Sequence, residues 1–473
     1  MAFNTAEFWA FFLVVLLVSA GLRPYVRLRV LFLTAASFYF YYASNGYLTL
    51  LIIFGTLFDF IAARQIGAAG SDLVRKRWLV ASIASNLLIL SMFKYLHLFL
   101  STGVQILNVW GLRLHGPTIN LLLPVGISFY TFEAISYVVD VYRNKFKPRT
   151  KWREFNYFIV FFPKLTAGPI IRPHNFFENI DTEKTFTETE FERYFQMMFL
   201  GLFQKTVLAD MMAPIADAAY GSAGVADSLA TLVGIYAFSL QIYFDFVGYT
   251  NIAIGSAGLL GVTLPDNFRR PYIASCLSDF WKRWHLSLST WLRDYLYISL
   301  GGGRGRITAI CRNLMITMTL GGLWHGASWN FAIWGAVNGT LLCLERILGL
   351  ETKINSWLGM RGNAVRFAWS LMTFNLFALL WIPFRARTFD DFLSVIHRLF
   401  SFSLPATVTL QELIVCGLAL VTIAFCICDE RFDLQEWASA LHPLVKAPAL
   451  AIMVLASFAF SSEGNQPFIY FRF

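Results

Sequence analysis

An all-α protein that crosses a bilayer many times is the fold class this sequence predicts, and three observations predict it. Charged residues make up only 14% of the 473, and hydrophobic residues 57%, whereas a soluble globular chain carries about a quarter charged residues. Apolar runs long enough to cross a bilayer recur along the chain. The links between the first runs alternate between strongly basic and nearly neutral, as topogenic loops do. No polar stretch is long enough to bury a core of its own, so residues 1–473 read as a single membrane domain. The net charge of +9 fits basic cytoplasmic loops better than nucleic-acid binding.

Five predominantly apolar spans come first, at residues 8–22, 30–42, 47–63, 78–100 and 118–142. The first lacks a basic leader and a cleavage site, and reads as a retained span. Arg23, Arg27 and Arg29 fill the first link, and the second, 43–46, is neutral. Arg64 and Arg75–Arg77 follow, then a nearly neutral link, then the basic run 143–153. The positive-inside rule places the N-terminus outside and that run in the cytoplasm. Residues 155–171 are apolar but carry Pro163, Lys164 and Pro169, so a re-entrant or interfacial segment is expected there. Spans resume at 194–213 and within 229–260. The latter carries Gln241, Asp245 and Asn251, polar groups that require partners or a water-filled cavity.

Residues 265–312 hold eight basic residues against three acidic ones. Within them Ser278-Asp279 is a helix start signal, and Trp281, Trp284, Leu288, Trp291 and Tyr295 recur at helical spacing. One amphipathic helix in the cytoplasmic interface is expected, ended by Gly301–Gly303. Its basic residues, Lys282, Arg283 and Arg293 among them, satisfy the positive-inside rule and also offer an anionic donor a docking surface.

Residues 313–344 then form an apolar run whose only group titrating near neutrality is His325. An ionisable residue at membrane depth is a candidate functional site. The plain alternative, a histidine joining two helices by hydrogen bonds, carries comparable weight on residue type alone. Removal from water disfavours the imidazolium, and a neutral imidazole in a dry site is a competent general base. Gly321, Gly322 and Gly326 suggest room for a thin substrate chain beside it, with Trp324 and Trp329 as flanking bulk. His285 is either a water-satisfied interfacial residue or a second polar group lining the same cavity. Asp245 and Glu133 read first as buried carboxyls held by hydrogen bonds or pairing. The six cysteines lack zinc spacing, no His-Glu-x-x-His occurs, and no metal site is expected. No serine-hydrolase elbow or phosphate loop occurs either. After this run come apolar spans at 364–382, 408–428 and 444–460.

Several stretches together resemble one family. FWKRWHLSLSTWLRDYLYISLGG (280–302) followed by GLWHGASWNFAIWG (322–335) resembles the paired signature of the membrane-bound O-acyltransferases. Residues 123–143, 161–172, 243–255, 264–272, 381–392 and the terminal FIYFRF resemble its bacterial branch, in order along nearly the whole chain. The resemblance implies a helical bundle around a central funnel, with re-entrant and amphipathic helices. It places His325 on the family's catalytic histidine and His285 on its second histidine. Asp245, Trp324 and Asn338 would line or support the path, and Lys282, Arg283 and Arg293 would meet the donor. Three positions depart from the branch: Asn338 replaces a usual histidine, Asn251 an aspartate and Glu133 a glutamine.

The implied activity is transfer of an acyl group, acetyl first, to an extracellular polysaccharide such as alginate, with D-alanyl transfer to a cell-wall polymer as the alternative. Acetyl-CoA or an acylated carrier protein would be the donor, with no permanently bound cofactor. The implied setting is the bacterial inner membrane, among membrane lipids, with an extracytoplasmic SGNH-type acetyltransferase as partner. The polysaccharide acceptor would be met directly or through that partner. A transporter, flippase or export scaffold is the competing class, and paired inverted repeats with broken helices would mark it.

Overall fold

The computed structural model describes residues 1–116, 121–166, 168–181, 187–221, 227–403, 405, 407–432, 441–460 and 468–471. Among them every regular element is helical. Six helical stretches are long and apolar enough to cross a membrane: Val26–Ala68, Asp72–Val109, Ser228–Leu259, Trp329–Leu348, Asn363–Arg385 and Leu410–Phe432. Large apolar side chains such as Leu13, Leu17, Phe54, Val421 and Phe425 are exposed. In water such faces would aggregate, whereas lipid covers them at no cost. The protein is a multi-pass membrane protein. Its chain clusters into two compact units, residues 1–198 with 252–265, and 199–251 with 266–473.

In the first unit the neutral link at residue 46 is a three-residue turn, Gly46–Leu48, between Val26–Asn45 and Thr49–Ala68. The fifth expected span is shorter than its apolar run. Its helix is Ile127–Tyr142, entered through Gly126 at φ 82°, and residues 117–120 lie outside the described residues. The segment 155–171 is broken as expected. Trp152–Val160 is followed by a bend at Phe161 and the short helix Phe162–Leu165. Its side chains are buried, and Lys164 forms a wholly buried ion pair with Glu133. Glu133 is therefore paired, and the lysine is explained by an acid on another helix.

In the second unit the apolar run 313–344 is divided between two helices. Ile307–His325 ends at the histidine, the chain turns through Gly326–Ser328, and Trp329–Leu348 returns antiparallel. Ser328 caps the returning helix by accepting from Asn330 N at 3.3 Å. The glycines serve this crossing and leave no open space. A Cβ on Gly322 would lie 2.2 Å from the Phe331 carbonyl oxygen, and one on Gly335 2.3 Å from that of Met318. A Cβ on Gly326 would strike the Phe331 ring at 2.2 Å. Small residues let two backbones meet where side chains would hold them apart. Asn338 accordingly sits on the returning helix, not further along the helix of His325.

The expected single amphipathic helix is also broken. It is Leu277–Trp281, a tight turn, Leu286–Trp291 and a wider coil over Leu292–Tyr297. Its start is capped by Glu345 of the returning helix, whose carboxylate accepts from Leu277 N at 2.6 Å and Ser278 N at 2.9 Å. Negative charge at a helix N-terminus satisfies donors that have no partner within the helix. Asp279 instead pairs with Arg283 at 2.9 Å. The period of the aromatic residues is helical on either side of the break, which is why the sequence hides it.

Candidate active site

The break falls on His285. Its backbone is left-handed, at φ 44° and ψ 54°, a conformation that costs a side-chain-bearing residue roughly 1–2 kcal/mol. Buried Asn267 holds it there. The Asn267 carbonyl oxygen accepts from Leu286 N at 2.9 Å, and its side-chain oxygen accepts from Ser287 N at 3.1 Å and Ser287 Oγ at 2.8 Å. Trp284, fully buried beside it, packs on Phe280 and Phe268. The turn drives the imidazole inward. Both ring nitrogens of His285 are buried with no hydrogen-bond partner among the described residues. Burial pushes its pKa down, so the ring is neutral at physiological pH. A strained, wholly buried histidine without a partner points to function rather than packing.

His325, the last residue of its helix, reaches the same region. It is 5% exposed and enclosed by aromatic rings. The Trp334, Phe384 and Tyr470 ring centres lie 5.3, 5.2 and 5.4 Å from its own. Two side chains bridge the histidines. Trp324 is 5.9 Å from His285 and 5.1 Å from His325, and Tyr470 is 6.3 and 5.4 Å away. The structure therefore brings His285, Trp324 and His325 together. Asn338 is buried nearby, donating to the Trp334 carbonyl at 2.8 Å. It lines a small void with Trp281, Trp334 and Trp381.

Tyr470 is a residue that sequence reasoning did not place in the site. It arrives on the C-terminal segment 468–471, which Asp245 anchors by accepting from Ile469 N at 2.6 Å. Phe468 packs on Tyr249 at 4.4 Å, and Tyr470 on Phe246 at 4.7 Å. Asp245 is in turn paired with Lys205 at 2.6 Å, which also meets Asp210 at 2.7 Å. The signal for this triad was a lysine within one apolar run and an acid within another. Only their juxtaposition makes it legible. Asp245→Ala is expected to leave Lys205 half-compensated and the C-terminal segment unanchored. Breaking a buried pair costs about 3–5 kcal/mol, less the part Asp210 retains. A lowered thermal midpoint in detergent, with activity reduced at temperatures where the fold persists, checks this; unchanged melting and activity would refute it.

Lys282, Arg283 and Arg293 do not converge on the histidine rings. Lys282 pairs with Glu351, Arg283 with Asp279 and Glu430, and Arg293 with Asp294. Lys282 and Arg293 side chains are 63% and 60% exposed, so these pairs contribute little stability and exchange readily for another anion. Arg270 joins the same end through Asp429 and Glu430. At the other end of this unit Asn330 donates to the Ala386 carbonyl at 3.0 Å, and Arg385 pairs with Asp217. There a cavity of about 550 Å³ is lined by Ala327, Phe331, Phe384, Ile469 and four polar side chains, Gln241, Ser328, Arg385 and Arg387. A neutral His285 imidazole set beside His325 in a buried aromatic enclosure suits proton transfer during acyl transfer.

Residues 33–354 match the MBOAT, membrane-bound O-acyltransferase, family. Among curated proteins, the chain is 38% identical over 403 residues to a protein named "Probable alginate O-acetylase AlgI" from Azotobacter vinelandii, covering 85% of this chain and 78% of that one. It is 32% identical to a peptidoglycan O-acetyltransferase of Helicobacter pylori, over 77% of this chain and 72% of the relative. It is 28% identical to a teichoic acid D-alanyltransferase of Bacillus subtilis, over 52% and 64% respectively. With its paired histidines and a family match over more than half its length, this chain belongs to the membrane-bound O-acyltransferases and is an acyltransferase.

Proposed function

We propose that this protein O-acetylates an extracellular polysaccharide from the bacterial inner membrane, using a cytoplasmic thioester. The observation that carries the reading is the pair of buried histidines, His285 and His325, bridged by Trp324 and Tyr470. The end of the second unit bearing Lys282, Arg283, Arg293, Arg304 and Arg306 faces the cytoplasm by the positive-inside rule. Acetyl-CoA or an acylated carrier protein approaches that end, where its phosphates displace the carboxylate partners of the exposed Lys282 and Arg293. His325 then accepts the proton of the attacking hydroxyl, the thioester carbon–sulfur bond breaks, and the thiol leaves with a proton. His285, held neutral, orients donor or acceptor.

The helix Ile307–His325 has 19 residues and spans roughly 28 Å at about 1.5 Å per residue. His325 therefore lies a helix length from the basic residues Arg304 and Arg306, and the acyl group is handed on from the opposite end. The acceptor is the polymer itself or an extracytoplasmic SGNH-type acetyltransferase that completes delivery. The names of the relatives support a polysaccharide target and an acetyl group.

Mass spectrometry of the extracellular polysaccharide, from cells with and without this protein, tests the reading. Loss of acetyl esters is the expected result. Loss of D-alanyl esters would replace acetyl by D-alanyl, and unchanged esters on every polymer would sink both.

A further inference from the structure

Two of the four non-glycine residues with positive φ among the described residues lie on paired segments of the second unit, His285 at 44° and Arg270 at 50°. A residue with a side chain keeps that conformation only where its surroundings over-determine it. The segments that carry them, 267–270 and 283–287, are joined backbone to backbone. Arg269 N donates to the Arg283 carbonyl and Leu286 N to the Asn267 carbonyl, each at 2.9 Å. The His285 turn runs between those two bonds. Asn267 grips its far side at Leu286 and Ser287.

A single carboxylate fastens the same two segments from the exposed side. Glu430 lies in the last turn of the helix Leu410–Phe432. Its Oε2 accepts from Arg270 Nη1 at 2.9 Å and from Arg283 Nη1 at 3.3 Å, and its Oε1 accepts from Arg283 Nη2 at 3.3 Å. Its neighbour Asp429 accepts from Arg270 Nε at 2.5 Å. One guanidinium comes from each segment, and the two are 160 and 147 residues from Glu430 in sequence. Other carboxylates at this end bridge no such pair. Asp279 stands four residues from Arg283, Asp294 beside Arg293, and Glu351 against Lys282.

The side chains of Glu430 and Arg270 are 43% and 28% exposed, so these pairs add little to global stability. What forked, charged bonds fix is direction. Arg283 is held at the near end of the turn, and Arg270 is held in its left-handed state just before Pro271. We infer that Glu430 is a positioning residue for His285. Through Arg270 and Arg283 it sets the register of the two segments that aim the buried imidazole. The inference rests on the acyl-transfer reading and deepens it, because it gives the helix Leu410–Phe432 a share in turnover. Misplacing a reacting group by about 1 Å can cost roughly a hundredfold in rate, so a loosened register lowers turnover more than it lowers stability.

The test uses the full-length protein in lipid nanodiscs with acetyl-CoA as donor. It follows thiol release, the thermal midpoint, and the imidazole signals of histidine-labelled protein by NMR, with the His285 signal assigned by its loss in His285→Gln. Glu430→Ala is expected to lower kcat by about tenfold or more, to leave KM for acetyl-CoA unchanged, and to shift or broaden the His285 signal. Glu430→Gln keeps the length and one acceptor, so it should fall between wild type and Glu430→Ala, and it decides the matter if Glu430→Ala does not fold. A lowered midpoint with kcat and the His285 signal unchanged would make Glu430 structural. A raised KM with kcat unchanged would place it at the donor. Either result overturns the inference, as does an unmoved His285 signal whatever the turnover. Absence of thiol release by wild type would count against the acyl-transfer reading, while the His285 signal would still decide whether Glu430 positions that ring.

Discussion

Gly335→Leu is expected to prevent the hairpin that carries His325 from closing. A Cβ at this position already meets the Met318 carbonyl oxygen at 2.3 Å and Thr319 Cα at 2.9 Å. Both are backbone atoms, so no side-chain rotation relieves the contact. The neighbouring close approaches run in antiparallel register, Gly322 on Phe331 and Gly339 on Met315, with Cys343 Sγ near the Cys311 carbonyl at 3.5 Å. Separating the helices at Gly335 therefore disturbs the whole seam. Overpacking a close-packed site costs about 1–3 kcal/mol and more when backbone must move. In a membrane the helices gain little from apolar burial to offset it. A broad, aggregated profile in detergent or a lowered thermal midpoint is the expected outcome, with Gly335→Ala milder. Wild-type folding of Gly335→Leu would show that the seam does not require the close approach.

His325→Ala carries the second large effect. A positioned general base contributes roughly a hundredfold to ten-thousandfold to a rate, so acyl transfer should fall by about that factor. The fold should persist, because the His325 ring packs against Trp334, Phe384 and Tyr470, side chains that retain contacts with one another. His285→Ala keeps the Cβ, and with it the left-handed strain of the turn, while emptying a fully buried position. A lowered thermal midpoint is therefore expected beside any loss of turnover. Retained transfer in His325→Ala, with the protein folded and inserted, would make this histidine structural.

The helical class, most spans of the first half and the isolation of His325 within an apolar run were legible because each rests on local composition. A crossing needs about twenty apolar residues, and a histidine among them stands out. The break in residues 155–171 was legible from Pro163 and Lys164. What stayed hidden depends on contacts distant in sequence. Gly321, Gly322 and Gly326 suggested open space, yet they mark backbone contact, since a missing side chain serves either purpose. The turn at His285 was invisible because Trp281, Trp284, Leu288 and Trp291 keep helical spacing across it. Strain there comes from Asn267, on another segment. Tyr470 was seen only within a terminal motif. Its place beside His325 follows from Asp245 and Lys205, which are 40 residues apart in sequence and 2.6 Å apart in the fold.

The account stands on His325 performing the transfer within this enclosure. The direct measurement is release of free thiol from acetyl-CoA or an acetylated carrier protein by the purified protein in nanodiscs, with acceptor polysaccharide present. Wild type and His325→Ala are matched for folded amount. The account predicts steady release by wild type and a loss of at least a hundredfold in His325→Ala. Equal release by the two proteins would contradict it.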